Sequence, residues 1–129
     1  MYLIGYLKAK ADLTMAYDEF LEERITQFLI TRIRNFETKK MMGGLAYMVN
    51  DSMLCGILID KKTKQSLLMN RIGEEAYVSE IKKPACRPMD FTGRPMKGYI
   101  FVTPDGFDLD EDLAYWIDLA LDFNAQLTT

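Results

Sequence analysis

Between Leu45 and Ile72 the chain carries three short apolar runs, Leu45 to Val49, Met53 to Ile59 and Ser66 to Ile72, separated by Asn50-Asp51-Ser52 and by the polar stretch Asp60 to Gln65. Runs this short, bounded by turn-forming residues, read as strands, and connections this short suit antiparallel neighbours. The segment is therefore a three-stranded meander, with Asp60 to Gln65 as an exposed hairpin excursion. A sheet of this kind needs at least one face covered, so the flanking segments must supply helices.

They have the required period. Leu21, Ile25, Phe28 and Leu29 form an apolar stripe on a helix running from about Tyr17 to Ile33, with acidic residues at its start and Arg32 and Arg34 at its end, as the helix dipole favours. Glu74 to Lys83 has helical spacing through Ala76, Tyr77 and Ile81 and is closed by Pro84. Asp108 to Leu127 places Leu109, Leu113, Trp116, Ile117, Ala120, Leu121 and Phe123 at helical intervals, and Asp108, Asp110 and Asp112 are expected to cap it. Pro88 and Pro95 each lack a backbone donor, which confines them to edge strands or turns. Arg87 to Phe91 and Lys97 to Val102 thus read as two strands joined by an exposed loop that bends at Thr92-Gly93. The fold class is α+β, a two-layer α/β arrangement with an antiparallel sheet and the order α-βββ-α-ββ-α. A single domain is expected over 15–129, with Met15 as the functional start. Residues 1–14 are read as an extension or loose terminal arm, or alternatively as a further strand through Tyr2 to Leu7.

The residue inventory excludes several chemistries. The chain contains no histidine, which removes serine and cysteine triads and histidine general bases, and two cysteines 31 residues apart cannot supply a four-ligand zinc site. Asp108, Asp110 and Asp112 lack the glycine and terminal glutamate of a calcium loop. Gly43-Gly44 lacks the lysine and hydroxyl that follow a phosphate-loop glycine, and reads as a bulge or a place of close backbone packing. No catalytic residue, metal or cofactor is expected, and the thiols of Cys55 and Cys86 are expected to be reduced and inert. No apolar run is long enough to span a bilayer, and a cytoplasmic location is expected.

Charge is unevenly distributed: residues 1–30 sum to -2, 31–97 to +6 and 98–129 to -7, for a net -3. Such segregation suits an anionic partner or a second copy of the chain, and a homodimer is expected. Weak nucleic-acid binding through the basic middle segment is a further alternative, but direct binding is not expected, because the pI is near 5 and no helix interleaves basic and aromatic residues. Met48, Met53 and Met69 read as core filling. Lys39, Lys40, Met41, Met42, Gly43 and Gly44, together with Arg87, Met89, Asp90, Arg94, Met96 and Lys97, make the candidate interaction or ligand surface. An apolar group ringed by Lys and Arg suits an unidentified protein partner more than a substrate. The alternative is a small-anion site, conceivably an enzyme's, formed if the glycine pair converges with Arg87 or Arg94.

KKMMGGLAYMVN at 39–50, EEAYVSEIKKPACRPMDFTGRPMKGYIFV at 74–102 and the closing Leu113 to Phe123 helix resemble the TfoX N-terminal domain family. The most specific parts are the RPMDFTGRPMKG loop, with Cys86 in place of an alanine before it, and the KKMMGGLAYMV strand, with Met42 and Tyr47 in place of phenylalanines. The resemblance implies the same two-layer order, similar to secretion-chaperone-like and YjbR-like folds. It also implies a bacterial regulatory role, since full-length members regulate competence for DNA uptake and carry a helical C-terminal domain that is not expected within these 129 residues.

Overall fold

The computed structural model describes residues 17–41, 43–90 and 93–127. The expectations placed on residues 1–14, on Met15, on Met42, on Phe91 and on Thr92 lie outside them. Helix α1 (Glu19–Arg32) begins at Asp18, whose Oδ1 accepts hydrogen bonds from the backbone N–H groups of Phe20 (2.9 Å) and Leu21 (3.1 Å). Its Oδ2 accepts from Ser66 Oγ at 2.9 Å, tying the start of the helix to the base of a hairpin. Strands β1 (Glu37–Met41), β2 (Gly44–Val49), β3 (Ser52–Ile59) and β4 (Ser66–Arg71) follow. Next come helix α2 (Gly73–Glu80), strands β5 (Cys86–Pro88) and β6 (Tyr99–Val102), a 3-10 turn (Pro104–Gly106) and helix α3 (Asp110–Gln126). All six strands form one antiparallel sheet in the order β1-β2-β3-β4-β6-β5.

The α+β class and the meander, β2 to β4, are as expected, but the order has one strand more. All five residues of β1 are exposed, so no apolar alternation announces it; it exists because its backbone pairs with β2 from Glu37↔Met48 to Met41↔Gly44. The glycine pair closes this hairpin with two different tasks. Gly43 turns the chain at φ 76°, whereas Gly44 lies where a Cβ would stand 2.3 Å from the carbonyl oxygen of Ile57.

The three described helices cover one face. Leu21, Ile25 and Leu29 of α1 and Leu113, Trp116, Ile117 and Ala120 of α3 pack with Leu45, Tyr47, Ile57, Leu68, Ile100 and Val102 of the sheet in one buried cluster. Tyr47 is fully buried, and its hydroxyl donates to Glu22 O (2.9 Å) and pairs with Thr26 Oγ1 (3.0 Å), so the tyrosine of this strand reaches a helix that a phenylalanine could only touch. Leu109 does not join the apolar stripe: it is the N-cap of α3 and 56% exposed. The expected aspartate cap is likewise absent, since no side chain accepts from the first turn of α3. Asp110, Glu111 and Asp112 act there by charge alone.

Arg24 joins α1 to that first turn, its Nη2 donating to Phe107 O (2.8 Å), Asp108 O (3.1 Å) and Asp110 Oδ1 (3.1 Å). Arg32 pairs with Asp118 at 2.5 Å. Both pairs are 86 residues apart in sequence, so α1 and α3 run parallel, side by side. The charge segregation becomes one of layers: the three helices hold eleven acidic and two basic side chains, the six strands one acidic and four basic. Among the described residues no helix is long and apolar enough to cross a membrane.

Candidate functional site

Strand partners point their side chains to the same side of a sheet. Lys39, Ala46, Gly56, Met69, Phe101 and Arg87 therefore form one row across the face turned away from the helices. Lys39 and Arg87 share that face but occupy opposite edges with four strands between them, about 24 Å at the usual strand spacing. The convergence of Gly43-Gly44 with Arg87 or Arg94 that an anion site requires does not occur. The candidate residues are two surfaces: Lys39, Lys40, Met41, Gly43 and Gly44 at one edge, and Arg87 with the β5–β6 loop at the other. Lys40 points to the helix side, in register with Leu45, and its charge acts on Glu22 of α1.

The second surface is the more constructed of the two. Pro88 sits on the outermost strand, where its missing donor costs no ladder bond. Beyond it Met89, expected at the surface, is 4% exposed and packs with Leu67, Met69 and Phe101 in a second cluster on the helix-free face. Met89 is the anchor of the loop rather than part of its surface. Met69 is buried in the same cluster, while Met48 and Met53 are half-buried, so core filling describes Met69 best. The loop is drawn together by Gly93 N–H to Asp90 O (3.0 Å), Met96 N–H to Met89 O (2.9 Å) and Tyr99 N–H to Met96 O (3.1 Å). Asp90, Arg94, Met96 and Lys97 are exposed on it. Arg87 is exposed too, but its Nη1 donates to Pro84 O (2.6 Å) and Cys86 O (3.0 Å), which commits part of its guanidinium to the chain itself.

Beside β5 lies a cleft of about 660 Å³ between the α2–β5 turn and the start of α3, with Lys83 and Arg87 on one side, Asp105, Glu111 and Asp112 on the other, and Tyr115 and Trp116 between. At its rim Tyr115 donates to Glu80 Oε2 at 2.6 Å, and Lys83 Nζ lies 2.8 Å from Glu80 Oε1 as an ion pair. That second oxygen has the charge contact without an aligned hydrogen bond. Lys83 also stands 4.5 Å from the Tyr115 ring centroid and 5.3 Å from that of Trp116. The adjoining Glu80 carboxylate pushes the Lys83 pKa up, and burial together with the same carboxylate pushes Tyr115 up, so both hold their protons through neutral pH. The carboxylate, ammonium and phenol thus satisfy one another and leave no free base. Sequence reasoning missed this trio because Tyr115 lies 35 residues from Glu80 on another helix; the visible signals were Glu80 and Lys83 three residues apart and Tyr115 next to the apolar stripe of α3.

Cys86 is buried in the row of Leu68 and Val102, and burial, reinforced by the Glu80 charge, pushes its thiol up to about 11. Burial pushes Cys55 up as well. At pH 8 the Cys86 thiolate fraction is then roughly two-hundred-fold below that of an ordinary cysteine. A disulfide reagent is expected to leave both thiols unmodified in the native protein at pH 8 and to titrate two in denaturant; rapid native labelling of Cys86 would contradict this placement. A raised thiol pKa contributes stability that is complete below the ordinary cysteine value and is lost as pH rises towards 11, so alkaline unfolding should begin in that window. Among the described residues no group of three or more acidic or cysteine side chains is placed to hold a metal ion.

Compared with known proteins, the chain matches one family, described as the TfoX N-terminal domain, over residues 29–124. No curated protein and no solved structure matches it.

Proposed function

The chain belongs to the TfoX N-terminal domain family, and from that premise we propose that it is a regulatory module that binds a protein partner through the β5–β6 loop and does no catalysis. The observation that carries this reading is the construction of the loop: a buried methionine anchor at 89, backbone bonds at both ends, and Arg94, Met96 and Lys97 left outside. An exposed surface with an apolar residue between two cations suits recognition of a protein partner. The mutual satisfaction of Glu80, Lys83 and Tyr115 and the protonated thiols support the non-enzymatic part. Regulation of the kind known for TfoX, competence for DNA uptake, is the process that family membership suggests.

The test uses the tagged full chain in lysate of the source cell, comparing wild type with Arg94→Ala/Lys97→Ala and with Arg34→Ala/Lys82→Ala, two other exposed cations, as a control of equal charge. Arg87 is left intact because its bonds to Pro84 and Cys86 are structural. The expected result is a protein retained by wild type and by the control and lost from the loop variant. Identical retention by all three would remove the loop from the account.

A further inference from the structure

Phe20 is 68% exposed on the first turn of α1 and Leu109 56% exposed at the start of α3, although both are large apolar residues. Arg24 spans the space between them: its guanidinium carbon lies 5.9 Å from the Phe20 ring centroid, while its Nη2 holds Asp108 O and Asp110. On the other side of Phe20, Asp18 holds Ser66 at the base of the β3–β4 hairpin. That hairpin carries Lys61, Lys62 and Lys64, all exposed. Its tip is shaped by Asp60, whose Oδ1 accepts from Lys62 N–H (3.0 Å) and whose Oδ2 accepts from Thr63 Oγ1 (3.1 Å). None of the three lysines forms an ion pair among the described residues. One end of the molecule therefore presents, in sequence across its surface, a lysine hairpin, an exposed phenylalanine, and the acidic entry to α3, with Asp108 before its N-cap and Asp110 and Glu111 in its first turn.

This order is self-complementary. A two-fold axis through Phe20 places each phenylalanine against its copy and each lysine hairpin against the acidic turn of the other chain, the isologous arrangement of the commonest dimers. An apolar centre with a charged rim is the anatomy of such an interface. We propose that this end is the surface through which a second copy of the chain binds, with Phe20 as its centre and the pairing of Lys61 and Lys62 with the partner's acidic turn setting its direction. The inference is independent of the β5–β6 loop, which stands at the sheet edge and stays free to engage another protein.

The experiment measures self-association of the full chain by sedimentation equilibrium at 50 and 300 mM salt. Wild type should dimerise, more weakly at the higher salt. Lys61→Glu/Lys62→Glu alone and Asp108→Lys/Glu111→Lys alone should each raise the dissociation constant at least about tenfold, because like charges then face each other. An equimolar mixture of the two variants should recover the wild-type constant, since every reversed charge meets its opposite. Phe20→Ser should weaken the dimer at least about tenfold at either salt concentration. Circular dichroism of each variant and the recovery in the mixture together separate lost association from lost folding. A monomeric wild type at 500 µM, a mixture that fails to recover, or an unchanged constant in Phe20→Ser overturns the proposal.

Discussion

Replacing Trp116 by alanine should lower the unfolding free energy by about 3–5 kcal/mol. The side chain is 3% exposed, it meets Tyr115 edge-on at 5.0 Å between centroids, and its Nε1 donates to Gly106 O at 2.8 Å. Its own carbonyl accepts from Nδ2 of the fully buried Asn70 at 3.0 Å, so α3 is fastened to β4 at the same position. Truncation leaves a cavity beneath α3 and strips the 3-10 turn of its donor. Against a total stability of roughly 5–15 kcal/mol for a domain of this size, the loss is a large fraction. Trp116→Phe keeps most of the volume and loses the hydrogen bond, so about 1–2 kcal/mol is expected. Urea unfolding of the three proteins measures both; a Trp116→Ala loss below about 1.5 kcal/mol would mean that α3 is not seated as described.

Gly44→Ala should cost about 2–3 kcal/mol or more, whereas Gly93→Ala should cost about 1 kcal/mol. The two glycines separate the possible reasons for a glycine. At Gly44 a Cβ would lie 2.3 Å from Ile57 O and 3.0 Å from Leu58 Cβ, both on β3, and a strand must move to admit it. At Gly93 nothing lies within 4 Å, and only the positive φ of 85° opposes a side chain. Chemical denaturation of the pair should rank them in that order. Equal losses would show that conformation alone, rather than close approach of β2 and β3, accounts for Gly44.

What could be read from the residues and what could not follows from the kind of signal each feature leaves. The three helices and the meander are local: apolar spacing at 21, 25 and 29, or at 113, 116, 117 and 120, reports burial on one helical face and was legible. Pro88 pointed correctly to an edge strand. Strand β1 was invisible because nothing in Glu37–Met41 is buried. Strand order was equally inaccessible. The glycine pair and Arg87 seemed able to converge only until the sheet put β1 and β5 at its two edges. Met89 looked like surface because its neighbours are polar and proline-rich, yet its side chain turns to the helix-free face and fills the second cluster. Arg24, whose three bonds join residues 83 to 86 positions apart, carried no sign in the sequence beyond an ordinary helical cation.

If the β5–β6 loop is a recognition surface, crosslinking in the living source cell should capture its partner. A photo-reactive side chain is placed at Met96 on the loop and, in a parallel strain, at the exposed Val78 on α2. The expected result is a discrete heteromeric adduct from position 96 that is lost when Arg94 and Lys97 are alanine and is not produced from position 78. Adducts of the same sizes from both positions, or none from position 96, would contradict the claim.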